Sequence, residues 1–148
     1  MIDRASRDKA VRLLSALSTG GVTNYQLEDE WPSQSLDLAV RAVAEQMWLL
    51  YDDFPEKKLD RDSFTKDEIR LIDRCQAFLS SDLEYEWPNY SFATGNRTLM
   101  QRVFGFKKRR PTKEWEEFIS VGEIEAWPFL RSSDYTSEMK SSRAKGEV

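Results

Sequence analysis

The stretch "SLDLAVRAVAEQMWLLYDDF", residues 35–54, carries the clearest structural pattern in the chain. Its apolar residues recur every three or four positions, which is the repeat of an amphipathic helix. A second apolar line widens that stripe, so we expect a helix that is buried over much of its circumference at the centre of the domain. Pro55 should end this helix. The first line comprises Leu36, Val40, Val43, Met47, Leu50 and Phe54, and the second comprises Ala44, Trp48 and Tyr51.

Helical patterns also lie on both sides of this stretch. A first helix is predicted from about Asp3 to Ser18, and Gly20 and Gly21 should end it. Thr23 has Gln26 three residues later, and Thr65 has Glu68, which are the spacings of capping boxes at helix starts. Further short helices are expected after Thr112 and over residues 132–140.

The remaining segments predict little regular structure. Short extended or hairpin pieces are expected near residues 83–106 and 123–130, and residues 97–106 suit either a helix or a hairpin. From about Ser137 the chain becomes small, polar and charged. The predicted fold is therefore mainly α, a compact single-domain bundle of about five to six helices over residues 1–136, with a flexible C-terminal tail at 137–148.

Composition places the chain among ordinary globular proteins. It has 148 residues, of which 40% are hydrophobic and 32% charged, and it contains a single cysteine, so no internal disulfide can form. Neither a secretory signal nor a long apolar run is visible in the sequence. We therefore expect a cytoplasmic protein without a transmembrane segment.

The residues needed for several kinds of chemistry are missing. The chain has no histidine, which removes Ser-His and Cys-His catalytic pairs and the commonest zinc ligand. There is no glycine-rich phosphate loop. Residues 60–68 resemble a calcium loop only faintly, because the required glycine and the final acidic residue are absent. We therefore expect no catalytic residues, no cofactor and no metal, although an enzyme with an inconspicuous carboxylate site stays open.

A tryptophan and a proline follow acidic residues at three places, "EDEWP" (28–32), "EYEWP" (84–88) and "EIEAWP" (123–128). In the structural interpretation each tryptophan fills a gap between helices and the acids stay in water. In the functional interpretation the aromatic and acidic residues form a surface for a basic partner, because Trp and Tyr are enriched at interface hot spots. The residues of that hypothetical surface are Glu84, Tyr85, Glu86, Trp87 and Tyr90, together with Glu28 and Asp29.

Charge is unevenly distributed along the chain, whose net charge is −4. Residues 87–113 contain seven basic residues and no acidic one, whereas residues 1–86 have a net charge of −7. This basic window could bind anionic lipid or nucleic acid, or it could be a solvated loop that faces the acidic part of its own domain. The residues that would contact an anionic surface are Phe104, Phe106, Lys107, Lys108, Arg109 and Arg110.

Four words of the sequence, "TNYQLEDEWP", "WLLYDDF", "FLSSDLEYEWP" and "AWPFLRSSDY", together resemble a family of small uncharacterised bacterial proteins. The resemblance extends from the first helix to about Tyr135. It implies a bacterial, cytoplasmic, accessory protein, and it supplies no activity, cofactor or catalytic residue.

The function that the sequence favours is non-enzymatic protein binding. An immunity protein or inhibitor that occludes a basic partner, such as a toxin, is its most concrete version, because an acidic surface complements a basic groove. The alternative is a peripheral membrane or nucleic-acid adaptor that acts through the basic window, residues 97–113.

Overall fold

The computed structural model describes residues 1–52, 54–90 and 113–146, and this part of the chain is mainly helical, as predicted. Two short strands, β1 (Val22–Thr23) and β2 (Lys58–Leu59), pair antiparallel, with Val22 opposite Leu59. Single 3-10 turns occupy Arg61–Ser63 and Ile124–Ala126. The helices are α1 (Arg4–Thr19), α2 (Asn24–Glu30), α3 (Leu38–Trp48), α4 (Lys66–Ser80), α5 (Lys113–Ile119) and α6 (Ser132–Gly146).

Both predicted capping boxes are confirmed. The Thr23 hydroxyl accepts from the backbone N–H of Gln26, whose side chain accepts from the Thr23 N–H, and Thr65 and Glu68 repeat the arrangement at the start of α4. Gly20 ends α1 with φ 69°, a left-handed conformation that glycine adopts without steric cost. The boundaries of these helices therefore follow from local sequence.

The central helix α3 is shorter than predicted at both ends. It begins after Asp37, because the Asp37 carboxylate accepts from the Ala39 N–H and caps the helix there. Beyond its end, the buried Asn24 side chain donates to the carbonyls of Asp52 and Pro55 and holds the chain in a turn. Leu36 and Phe54 consequently lie outside the helix, and they are 70% and 79% exposed instead of buried.

The core lies where α1, α3 and α4 meet. Helix α1 packs along α4, and α3 contacts both. One side of α3 is buried, but the side that carries Leu38, Arg41 and Glu45 is not. Trp48, which was predicted to widen the buried stripe, is 40% exposed. The buried apolar residues of the three helices are Ala10, Leu13, Leu14 and Leu17; Ala39, Val40, Val43, Ala44 and Met47; and Leu71, Ile72, Cys75, Phe78 and Leu79.

A buried ion pair joins α1 to the start of α3. Arg7 is 0% exposed and Asp37 is 1% exposed, and Arg7 Nε donates to Asp37 Oδ2 at 2.7 Å. Arg7 Nη1 also donates to the carbonyl oxygens of Ser81 and Leu83, which follow α4. Arg7 therefore fixes the chain that leaves α4 against the N-terminal ends of α1 and α3. Sequence reasoning missed this pair, because the two residues are thirty positions apart.

The C-terminal part differs from the prediction in two respects. The expected extended piece at 123–130 is a 3-10 turn within a loop that is closed by a hydrogen bond from the Glu123 N–H to the Leu130 carbonyl, at 2.8 Å. Gly122 is required there, because a Cβ at this position would lie 2.5 Å from the same carbonyl oxygen. The last helix is also longer than the predicted short one, since α6 continues through Gly146 without a buried residue.

Candidate functional site

The tryptophans of the three acidic Trp-Pro motifs, Trp31, Trp87 and Trp127, are all buried. Their indole N–H groups donate to the Val40 carbonyl (Trp31, 3.2 Å), the Phe129 carbonyl (Trp87, 3.3 Å) and the Tyr85 hydroxyl oxygen (Trp127, 3.0 Å). The interpretation of these motifs as structural is therefore confirmed, since each indole ring is buried in the core and its N–H group has a hydrogen-bond acceptor. The peptide bond between Trp127 and Pro128 is cis.

This burial corrects the expectation that Trp87 and Tyr85 anchor a partner. Trp87 is 3% exposed, and its ring packs against Phe118 of α5 at a centroid distance of 4.9 Å. Tyr85 is half-buried, and its ring lies edge-on to Phe78 and Trp127. Burial raises the pKa of the Tyr85 phenol, although its hydrogen bond with Trp127 acts in the opposite direction. Both rings hold residues 82–88 onto the core and leave little surface for a partner.

The exposed residues of the same stretch form a regular pattern. Along residues 82–88, side chains alternate between exposed and at least half-buried positions. Asp82, Glu84 and Glu86 are exposed, whereas Leu83, Tyr85 and Trp87 point inward. A period of two is the pattern of an extended chain lying on a surface. We call residues 82–88 the acidic segment, because its first three outward positions carry carboxylates and Pro88 occupies the fourth.

A cleft separates the acidic segment from α3. It has a volume of about 100 Å³. Leu38, at 52% exposed, gives it an apolar rim, and Arg41 and Glu45 on the same helix add one charge of each sign. We call it the α3 cleft, and it is lined by Leu38, Arg41, Ala42 and Glu45 on one side and by Tyr85, Trp87, Pro88, Asn89 and Tyr90 on the other.

Tyr90 connects this cleft to α5. Its ring lies 5.6 Å from that of Trp115 and 5.1 Å from that of Phe118. Of the aromatic residues that the sequence suggested, Tyr85, Trp87 and Tyr90 therefore line one cleft. The contribution of α3 was missed from the sequence. The available signal was the spacing of Leu38, Arg41, Ala42 and Glu45, which places them on one helix face.

Glu28 and Asp29 do not line the α3 cleft. Glu28 accepts a hydrogen bond from the Tyr51 hydroxyl, beyond the C-terminal end of α3. The acidic segment begins beside Asp37, at the N-terminal end of α3, through the shared contacts of Arg7. A helix of this length spans about 16 Å. Glu28 thus contacts the chain beyond the C-terminal end of α3, whereas the acidic segment starts at the N-terminal end; a single surface that includes Glu28 and Asp29 stays a prediction.

Of the seven basic residues in the basic window, the structure describes Lys113, at the start of α5. Residues 91–112 lie outside the described residues, so the placement of Phe104, Phe106 and Lys107 to Arg110 stays a prediction. Residues 97–106, for which the sequence suits either a helix or a hairpin, also lie outside the described residues.

Other candidate chemistry is limited within the described ranges. Residues 1–52, 54–90 and 113–146 contain no group of three or more Cys, Asp or Glu side chains that could hold a metal ion. Among the described helices, none is long and apolar enough to cross a bilayer. Cys75 is completely buried, and burial raises the pKa of its thiol to about 12. Such a thiol is protonated and unreactive at neutral pH.

Comparisons with known proteins give no relative for this chain: no protein-family model, no curated protein and no solved structure matches it.

Proposed function

We propose that this chain is a non-enzymatic binding domain that uses the acidic segment and the α3 cleft to hold a basic protein. The observation that carries the proposal is the period-two pattern of residues 82–88, which directs three carboxylates outward beside an apolar-rimmed cleft. Charges and apolar surface are thus combined on one side of the molecule, as in protein-binding sites.

The carboxylates would act mainly on the rate of association. Glu84 is 60% exposed and pairs with the amino group of Met1 at 3.1 Å. An exposed ion pair contributes only about 0.2–1 kcal/mol, so a partner cation can replace this contact. A negatively charged surface also attracts a positively charged protein over a distance of about 10 Å at moderate salt. Opposite charge would therefore speed association and select basic partners.

The apolar part of the surface would supply the contact energy. Leu38 exposes about half of its surface at the rim of the cleft. Burying apolar surface releases about 25 cal/mol per Å². The concrete form of the proposal is an inhibitor or immunity protein of a bacterial cytoplasm, which covers the basic groove of a toxin or similar partner. A groove that holds an anionic substrate must be basic, and carboxylates would block it.

The test is affinity capture from a bacterial lysate, with wild type beside two variants that have the same net charge. Glu84→Lys/Glu86→Lys reverses the acidic segment. Asp29→Lys/Glu30→Lys makes the same change at the end of α2, where both side chains are exposed. We expect wild type and Asp29→Lys/Glu30→Lys to retain a basic protein that Glu84→Lys/Glu86→Lys loses. That basic protein, once purified, should bind wild type and Asp29→Lys/Glu30→Lys more tightly than Glu84→Lys/Glu86→Lys.

Equal capture by all three proteins would remove the acidic segment from the proposal. Retention of lipid or nucleic acid, lost on Lys107→Glu/Arg109→Glu, would instead support the adaptor that uses the basic window. Circular dichroism and urea unfolding should first show that each variant is folded.

A further inference from the structure

Residues 84–89 run beside the α3 cleft as an extended chain. In the described part of the chain, no backbone group of residues 84–89 hydrogen-bonds to another backbone group. Extended chains with free N–H and C=O groups are the places where proteins add a strand from another chain. The α3 cleft leaves open space beside this backbone, because the lining residues include Tyr85, Trp87, Pro88 and Asn89.

The segment is also fixed in place before any partner arrives. The Leu83 carbonyl accepts from Arg7 at 2.8 Å, and the Trp87 indole donates to the Phe129 carbonyl at 3.3 Å. Tyr85 accepts from Trp127 at 3.0 Å. The core thus holds the segment at three alternate residues, through the carbonyl of Leu83 and the side chains of Tyr85 and Trp87. A preorganised edge loses less conformational freedom on binding than a loose loop would.

The charges along the segment define what kind of strand it would accept. Successive outward side chains of an extended chain lie about 6.6 Å apart, and here they are Asp82, Glu84 and Glu86. A partner strand has the same repeat, so cations at every second position would each face a carboxylate. Arg41 and Glu45 in the α3 cleft carry opposite charges that offset one another, whereas Leu38 and Ala42 give the cleft an apolar lining. The alternate side chains of the partner, which point toward the cleft, should therefore be apolar.

We propose that the acidic segment binds its partner by strand addition, accepting an extended peptide in which Lys or Arg alternates with apolar residues. The cations face Glu84 and Glu86, and one aliphatic side chain enters the α3 cleft beside Leu38 and Ala42. The ladder ends at Pro88, which has no N–H to donate. This inference rests on the proposed function, since it names the part of the basic partner that is recognised.

The probe is a fluorescein-labelled peptide, Lys-Val-Lys-Val-Lys-Val-Lys, measured by anisotropy against the full chain. One control has the same composition in blocks, with the four lysines followed by the three valines. A second control carries backbone N-methyl groups on the three valines. A third carries them on every lysine except the first. Because the N–H groups of alternate residues point to opposite edges of a strand, one of these two peptides loses the N–H donors that face the acidic segment. We expect the alternating peptide to bind about tenfold tighter than the block peptide, and one N-methylated peptide to lose about tenfold. Binding should weaken as salt rises.

Amide exchange and a substitution in the α3 cleft test strand addition on the protein itself. Amide exchange should slow at residues within 84–87 when the alternating peptide is bound. Ala42→Met, which narrows the α3 cleft on a helix that tolerates Met, should weaken binding of the alternating peptide more than that of the block peptide. Equal binding of alternating and block peptides, or unchanged amide exchange, would overturn strand addition.

The outcomes also separate this inference from the proposed function. A basic protein captured through Glu84 and Glu86, combined with no preference for the alternating peptide, would leave the binding domain standing and remove strand addition. If neither the peptide nor any basic protein depends on these two carboxylates, both proposals fall.

Discussion

Removing one member of the buried pair between Arg7 and Asp37 should be among the most damaging single changes in the protein. Asp37→Asn keeps the shape of the side chain and its acceptor for the Ala39 N–H, but it leaves the Arg7 guanidinium buried without a counter-charge. Both side chains are almost completely buried, at 0% and 2% side-chain exposure. An uncompensated buried charge of this kind costs about 3–5 kcal/mol.

This cost can be measured as the change in the free energy of unfolding in urea. For a chain of about this size, 1 kcal/mol corresponds to about 2–4 °C in the melting temperature. Asp37→Asn should therefore lower the melting temperature by roughly 6–20 °C. The matched control is Asp8→Asn, which breaks an exposed pair with Arg4 at 3.1 Å. It should cost less than about 1 kcal/mol.

The double variant Arg7→Met/Asp37→Asn supplies the decisive comparison. It removes both charges, so it should be destabilised by much less than the sum of the two single variants, because neither charge remains buried alone. A double variant whose cost equals that sum within about 0.5 kcal/mol would show that the two side chains are not coupled. That result would refute the reasoning, however large each single effect is.

Three further predictions concern the pKa of Asp37 and the burial of Trp87 and Cys75. Burial alone raises the pKa of Asp37, but its hydrogen bonds with Arg7 and with the Asp3 and Ala39 N–H groups hold the pKa below its usual value. The folded pKa is thus lower than the unfolded one, so this contribution to stability is present above about pH 4 and is lost as pH falls. Acid titration of the unfolding free energy should show a shallower loss in Asp37→Asn, and an identical slope would contradict the assignment. Trp87→Ala should cost about 3–5 kcal/mol in urea unfolding, because the indole is buried against Phe118, whereas Pro88→Ala, at an exposed position, should cost much less. Cys75 should react with a thiol reagent only at the rate of unfolding, since burial raises its pKa to about 12; fast labelling of the native protein at pH 8 would show that the thiol is accessible.

The parts of the fold that sequence could predict are those that local physics controls. The capping bonds of Thr23 and Thr65 each join residues only three positions apart, so both helix starts can be read from local sequence. The apolar stripes of α1 and α4 likewise follow from the helical repeat. The ends of α3 were mispredicted, because Leu36 and Phe54 match the helical repeat but Asp37 and Asn24 set the path of the chain through hydrogen bonds.

The candidate site was likewise predicted only in part from the sequence. The sequence indicates that Glu84, Glu86 and the aromatic residues beside them are of interest. It does not indicate that Trp87 faces the core, that Glu28 lies at the other end of α3, or that Arg41 and Glu45 share a cleft with Tyr90. These relations depend on contacts between residues that are distant in the chain.

The sequence by itself thus determined the helical class, the caps at Thr23 and Thr65 and the alternation of acids with aromatic residues, because each depends on residues within one or two helical turns. Only the tertiary structure decided which face of that alternation is buried. Arg7, Phe129 and Trp127 hold residues 82–88 against the core from elements far along the chain, and this turns the aromatic residues inward and the carboxylates outward.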